Sequence, residues 1–163
     1  MTLFRLILAG ALFILGGCSV YPPLTDETEI TGILVEKQER RLFLVSDSQP
    51  VAVFPIHLGH SPTGKKEREG DGKTPEGTYV VDRRNPNSSF HLSLGISYPN
   101  HTDIENAALL GAHPGGDIFI HGMPNGYRAV ADDWTEGCIA VSNEHIETIY
   151  RFVKNGTPIT ILP

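Results

Sequence analysis

The chain has 163 residues, 40% of them hydrophobic and 20% charged, the composition of one globular domain rather than a disordered, fibrous or multi-pass membrane protein. Thirteen Lys and Arg against nineteen Asp and Glu give a formal charge of −6, which leaves no basic surface to neutralise a run of phosphates, so no nucleic-acid partner is expected. Twelve prolines and seventeen glycines interrupt many short apolar runs, which argues for a mainly β chain and against a helical bundle.

The first residues differ from everything after them. Arg5 is followed by the apolar stretch Leu6 to Leu15 and then Gly16-Gly17-Cys18, an order that reads as the n-region, h-region and small-residue cleavage site of a secretory signal. Its apolar part is too short for a spanning helix. Leu15-Gly16-Gly17-Cys18 resembles the lipobox of bacterial lipoproteins. That resemblance implies a signal peptide over residues 1–17, cleavage before Cys18, and a lipid on Cys18 that anchors the protein to a membrane. Ser19 after the cysteine, with no aspartate there, implies the periplasmic face of the outer membrane. The alternative is an ordinary signal peptide with an incidental cysteine. Residues 18–29 are polar, carry Pro22-Pro23 and show no apolar period, which predicts a lipidated tether.

The predicted domain runs over residues 30–163. Ile30 to Glu36 and Arg41 to Val45 are β-branched and aromatic runs separated by the charged turn Lys37-Gln38-Glu39-Arg40, a hairpin pattern, and Val51 to His57 alternates as a third strand. Gly59 to Gly77 is a long Gly-, Pro- and charge-rich loop of the kind that is functional or mobile. Within it, Lys65, Lys66, Glu67, Arg68 and Glu69 balance both signs and read as a solvated surface. Thr78 to Asp82, Phe90 to Tyr98, Asp117 to Ile120 and Pro158 to Leu162 supply further strands. Two short helices are predicted: His101 to Leu110, and Asn143 to Val153 with Asn143 as N-cap and Asn155-Gly156 closing the end.

Two tempting motifs fail. Gly72-Lys73-Thr74 looks like the end of a phosphate loop, but Glu67 stands where its first glycine belongs and Pro75 follows. His57 and His60 lie three apart without a second pair of ligands to complete a tetrahedral set, so neither a metal nor another cofactor is expected.

The informative segments are Asp117-Ile118-Phe119-Ile120-His121-Gly122, an apolar strand ending in His-Gly, and Trp134-Thr135-Glu136-Gly137-Cys138-Ile139, a Gly-Cys junction opening an apolar run. With Cys18 lipidated, Cys138 has no intrachain partner, and a lone thiol in an exported protein is either a buried small hydrophobe or a nucleophile. A thiol becomes a good nucleophile when a histidine can take its proton, and a sharp turn at Gly137-Cys138 would leave both backbone N–H groups free to hold an oxyanion. Trp134 could wall a substrate groove, and Arg128 could meet a substrate carboxylate through its fork. His113, beside Pro114-Gly115-Gly116, reads as an exposed loop residue.

Phe54-Pro55-Ile56-His57-Leu58-Gly59, then Gly70-Asp71-Gly72-Lys73-Thr74-Pro75-Glu76-Gly77-Thr78-Tyr79, then Ile120-His121-Gly122, then Thr135-Glu136-Gly137-Cys138-Ile139 resemble in order and spacing the YkuD-type L,D-transpeptidase catalytic domain, in particular its YafK-like branch. The resemblance implies a mainly β fold with two short helices, a YkuD-type β-sandwich. It implies Cys138 as nucleophile, His121 as general base, the Gly122 carbonyl as orienter of that histidine, and Gly137 as the turn glycine. The substrate would be a peptidoglycan stem peptide, acylating the cysteine before transfer to an amine or to water. Two positions depart from the family pattern: Glu136 replaces the usual motif histidine, and Ala140 replaces a polar residue that would contact substrate. A carboxylate aimed at the thiol would oppose the oxyanion, so Glu136 is expected to point outward. Three functions follow: an L,D-transpeptidase, a hydrolase using the same Cys/His site on wall linkages, and a non-catalytic wall-binding lipoprotein.

Overall fold

The computed structural model describes residues 21–126 and 132–163; Cys18, the rest of the signal segment and Arg128 lie outside the described residues. Eight strands and two helices follow in the order β1 Gly32–Glu36, β2 Arg41–Ser46, β3 Gln49–Pro55, β4 Gly77–Ser88, β5 His91–Ile96, α1 His101–Leu109, β6 Phe119–His121, β7 Ile139–Ala140, α2 Asn143–Phe152 and β8 Pro158–Leu162. The strands form one sheet in the order β3-β2-β1-β8-β4-β5-β6-β7.

The long strand β4 makes this sheet a sandwich. Its first residues pair with β8, Gly77 opposite Ile161 through Val80 opposite Pro158, and from Val81 opposite Ile96 it pairs with β5, with a register shift before Arg83. Core residues come from both halves, Val35, Leu42 and Ile159 from one and Leu94, Ile120 and Ile139 from the other. The outer edges also meet. His57, just past β3, and Ala140 in β7 exchange backbone hydrogen bonds of 2.8 and 2.9 Å, so the sheet closes on itself and carries the β7 segment against the other half.

The sequence reading ended β4 at Asp82, six residues early, because Asn85-Pro86-Asn87 are turn residues. They are tolerated here because the pairing skips from Asn85 to Ser88, which spares Pro86 a ladder hydrogen bond it cannot donate. At α2 the predicted cap moves by one residue. The Ser142 side chain accepts from the His145 N–H at 3.2 Å, while Asn143 Oδ1 is diverted to the Met123 N–H at 2.8 Å.

Of the run Lys65 to Glu69, Glu67, Arg68 and Glu69 are exposed as expected, but Lys66 is not, which corrects the solvated reading at that residue. Lys66 is 4% exposed and donates to Asp71 Oδ1 at 2.8 Å and to the Arg68 carbonyl at 3.0 Å. Burial works against the Asp71 carboxylate, yet the Lys66 ammonium and the Arg68, Glu67 and Lys73 N–H groups hold its pKa down to about 2. Lys37 leaves the β1–β2 turn for the same loop, where all three donors of its ammonium are used, on Gly64 O, Thr74 O and Glu76.

Candidate active site

Parallel pairing of β6 with β7 decides what His121 and Cys138 can do together. His121 lies level with Ala140, and Cys138, two residues earlier, points to the same face because strand side chains alternate with period two. Both line one cavity of about 430 Å³, with Phe90, Phe119 and Trp134 among its walls and Asn85, Ser88 and Asp117 at its rim.

The His121 ring is fixed in one tautomer. Its Nδ1 lies 2.7 Å from the Gly122 carbonyl, which can only accept, so Nδ1 carries the proton and Nε2 keeps a free lone pair. Burial lowers the His121 pKa, only partly opposed by that hydrogen bond. Burial pushes the Cys138 thiol up, while the Phe119 N–H, 3.4 Å from Sγ, pulls the other way. The resting pair is therefore a neutral thiol and a neutral imidazole, with the thiol donating toward the Asp117 carbonyl at 3.5 Å.

Two glycines are required by space. A Cβ on Gly122 would sit 2.6 Å from Asn143 Oδ1 and 2.8 Å from the Phe90 carbonyl. Gly137 has φ +123°, and a Cβ there would lie 2.5 Å from the Lys73 carbonyl. The expectation that both turn N–H groups stay free is corrected at Gly137, whose N–H donates to Thr135 Oγ1 at 3.1 Å while the Thr135 hydroxyl donates to the Cys138 carbonyl at 2.7 Å. This brace leaves the Cys138 N–H as the free donor of the turn among the described residues.

The remaining candidates separate clearly. Trp134 is in the cavity wall, its ring centroid 5.7 Å from that of His121. Glu136 is at the rim but turned outward, 82% exposed and 3.2 Å from His60 Nε2, as the oxyanion argument required. Ala140 is fully buried, and its backbone bridges to His57. His113 is exposed, 3.5 Å from Glu69. His57 and His60 turn to different carboxylates, Asp132 and Glu136. Among the described residues no three metal-ligating side chains converge.

The sequence profile of the YkuD family, the L,D-transpeptidase catalytic domain, matches residues 30–161. This chain belongs to the YkuD family. Escherichia coli (strain K12) YafK, which carries the provisional name of an L,D-transpeptidase, is 30% identical over 142 residues, covering 86% of this chain and 49% of YafK. The chain spans about half the length of the curated relatives it matches. Among solved structures, the helical cell shape determining protein Pgp2 of Campylobacter jejuni, as its K307A mutant, superposes with a TM-score of 0.65 at 29% identity, covering 83% of this chain and 47% of Pgp2. Bd1075 of Bdellovibrio bacteriovorus gives 0.58 at 27% identity over 85% of this chain and 49% of Bd1075. An L,D-transpeptidase of Mycobacterium smegmatis, at 15% identity and 0.52 over 80% of this chain and 58% of that one, shares the fold.

This YkuD domain has supports that the sequence reading did not assign. Asp133 takes a two-pronged contact from Arg40 and accepts the Leu58 N–H at 2.8 Å, tying the stretch before Cys138 to the first hairpin. Phe90, from the β4–β5 turn, packs its ring 4.5 Å from that of His121. Nothing local marks either residue, since each partner lies at least thirty positions away. Asp71 did carry a signal: an Asp inside Gly-Asp-Gly favours a turn in which the side chain accepts nearby backbone N–H groups.

Proposed function

We propose that this YkuD domain is a cysteine-dependent L,D-transpeptidase that acts on peptidoglycan stem peptides through an acyl-enzyme. The observation that carries the reading is the single tautomer of His121, which leaves Nε2 with a free lone pair on a residue that lines the same cavity as Cys138. Nε2 takes the thiol proton as Sγ attacks the substrate carbonyl, and the Cys138 N–H meets the oxyanion. The imidazolium then returns its proton to the departing amine. This leaves a thioester and neutral His121, ready to deprotonate the acceptor amine that takes the acyl group. The cell-shape role named for Pgp2 fits a wall-modifying activity of this kind.

A carbapenem tests the first half of this cycle, because thiol attack opens the strained lactam and adds the whole inhibitor mass. Intact-mass analysis is expected to show one adduct on the wild type and none on Cys138→Ala; an unmodified wild type would leave a wall-binding protein without chemistry. Products from disaccharide-tetrapeptide substrates then read the acceptor, since cross-linked dimers mark transfer and shortened stems mark hydrolysis by the same thioester.

We further propose that Cys18 carries a lipid and that residues 18–29 hold the domain at the periplasmic face of the outer membrane. The support is the apolar run and the small residues directly before that cysteine. Labelled palmitate is expected to enter the wild type and not Cys18→Ala. Label retained in that variant would refute the lipobox.

A further inference from the structure

His121 must become a cation when it takes the thiol proton, yet it is only 4% exposed and no carboxylate hydrogen-bonds its ring among the described residues. Its Nδ1–H goes to the neutral Gly122 carbonyl. The neighbouring strand β5 presents Ser93 level with it, and Asn143 at the start of α2 reaches the residue after Gly122. The titratable side chains that share its cavity are Cys138, Asp117 and Glu136. Glu136 pairs with His60 and Asp117 lies 3.6 Å from Arg83, so both carboxylates have other partners. What does lie against the imidazole is aromatic. The Phe90 ring centroid is 4.5 Å from that of His121 with the planes tilted by 41°, and Trp134 stands edge-wise at 5.7 Å. The centroids of the two aromatic rings are 6.0 Å apart, so Phe90, Trp134 and His121 form one cluster in which each ring neighbours the other two.

Phe90 is also held in place. Its N–H donates to Ser88 Oγ at 3.1 Å, and its carbonyl accepts the Gly122 N–H at 3.0 Å, the residue whose own carbonyl fixes the His121 tautomer. One short stretch of the β4–β5 turn thus sets both the backbone behind the histidine and the ring beside it. An aromatic face is negative and attracts a cation within about 6 Å of its centroid, more strongly where water is excluded. A neutral imidazole gains little from the same contact. The interaction therefore grows as the proton moves from sulfur to nitrogen.

We infer that Phe90, braced by Trp134, is a positioning residue that holds the His121 ring toward the cavity and stabilises the imidazolium formed during attack by Cys138. This rests on the reading of His121 as the base, and it assigns to the Phe90 ring the stabilising task that a carboxylate performs in many other triads.

The test is to change the charge of the ring face without changing its shape. Phe90 is replaced by 3,5-difluorophenylalanine, and His121 is titrated by NMR through its labelled ring carbon in the otherwise wild-type chain, with Phe90→Tyr as the conservative control. Fluorination is expected to lower the His121 pKa by about 0.5 to 1, in proportion to a cation–π contact of ordinary strength at a desolvated site. Carbapenem acylation is expected to slow about 3- to 10-fold, and Phe90→Tyr to retain both properties. Phe90→Leu keeps the site apolar and should displace the pKa in the same downward direction. An unchanged pKa on fluorination would overturn the inference, and a raised pKa in Phe90→Leu would show that the ring only excludes water. Because the titration needs no substrate, the two readings fail separately. A wild type that forms no adduct while its His121 pKa still follows fluorination would sink the proposed function and leave the Phe90–His121 contact standing.

Discussion

His121→Ala is expected to slow acylation of Cys138 by about 10²- to 10⁴-fold while leaving the fold intact, the usual contribution of a positioned base. The size of the loss follows from the resting protonation of the pair. Burial holds the thiol above its ordinary pKa, so little thiolate exists near neutral pH and the wild type depends on a base to produce it during attack. The two proteins should also differ in pH profile. On the proposed mechanism His121 works only as the neutral imidazole, and its pKa is lowered, so wild-type acylation should hold level above about 6.5 and fall only at more acidic pH. Without the imidazole the rate must follow the thiolate and climb about tenfold per pH unit to beyond about 8.5. Stopped-flow acylation by a carbapenem between pH 5 and 10 reads both features. A variant with the wild-type profile would mean that another group takes the proton. His113, the alternative nearest in sequence, is exposed on a different loop beside Glu69 and is a poor candidate.

Much of this site is legible before folding. His-Gly at the end of one apolar run and Gly-Cys at the start of another are local patterns, and strand periodicity alone places both side chains at strand ends. What the chain does not display is how those ends are brought level. That depends on the parallel pairing of β6 with β7 and on closure by His57 and Ala140, contacts between residues 19 and 83 positions apart. The same limit hides Phe90, whose value comes from facing a histidine 31 residues later. A subtler limit appears at Gly137. Its positive φ and its glycine requirement follow from the turn, but the use of its N–H was misjudged because a threonine hydroxyl two residues back competes for it. Lys66 departs from the solvated expectation for a different reason. Mixed charge in sequence looks solvated, and only the fold shows that Lys66 of the run faces inward and finds Asp71 just beyond it.

That buried pair supports the second large expectation. Asp71→Asn should destabilise the domain by about 3–5 kcal/mol, the usual cost of removing one member of a buried ion pair, as read by chemical denaturation. The Asp71 side chain is 8% exposed and that of Lys66 only 2%, so the variant would leave a buried ammonium with only neutral acceptors, the amide oxygen and the Arg68 carbonyl. It would also be a poor acceptor where the carboxylate takes Glu67, Arg68 and Lys73 N–H groups at 2.8, 3.0 and 3.1 Å. Lys66→Met is the informative comparison. It removes the same ion pair but leaves the carboxylate with three backbone donors, so it should cost less than Asp71→Asn. An equal or larger loss in Lys66→Met would show that the ion pair, and not the backbone cage, holds the loop.

The pH dependence follows from the depressed pKa. Asp71 stays ionised in the folded state down to about 2, against 3.8 for the free group, so its stabilisation is complete above about 4 and is lost as pH falls from there toward 2. The stability gap between wild type and Asp71→Asn should narrow over that window and nowhere above it. The consequence reaches the thiol through Lys73, whose N–H is held by Asp71 and whose carbonyl fills the space beside Gly137 where a side chain would stand. Loosening Asp71 frees that carbonyl, and with it the turn that presents the Cys138 N–H. Asp71→Asn should therefore acylate more slowly than Lys66→Met even at temperatures where both are fully folded. Equal rates would place the loop's role in stability alone.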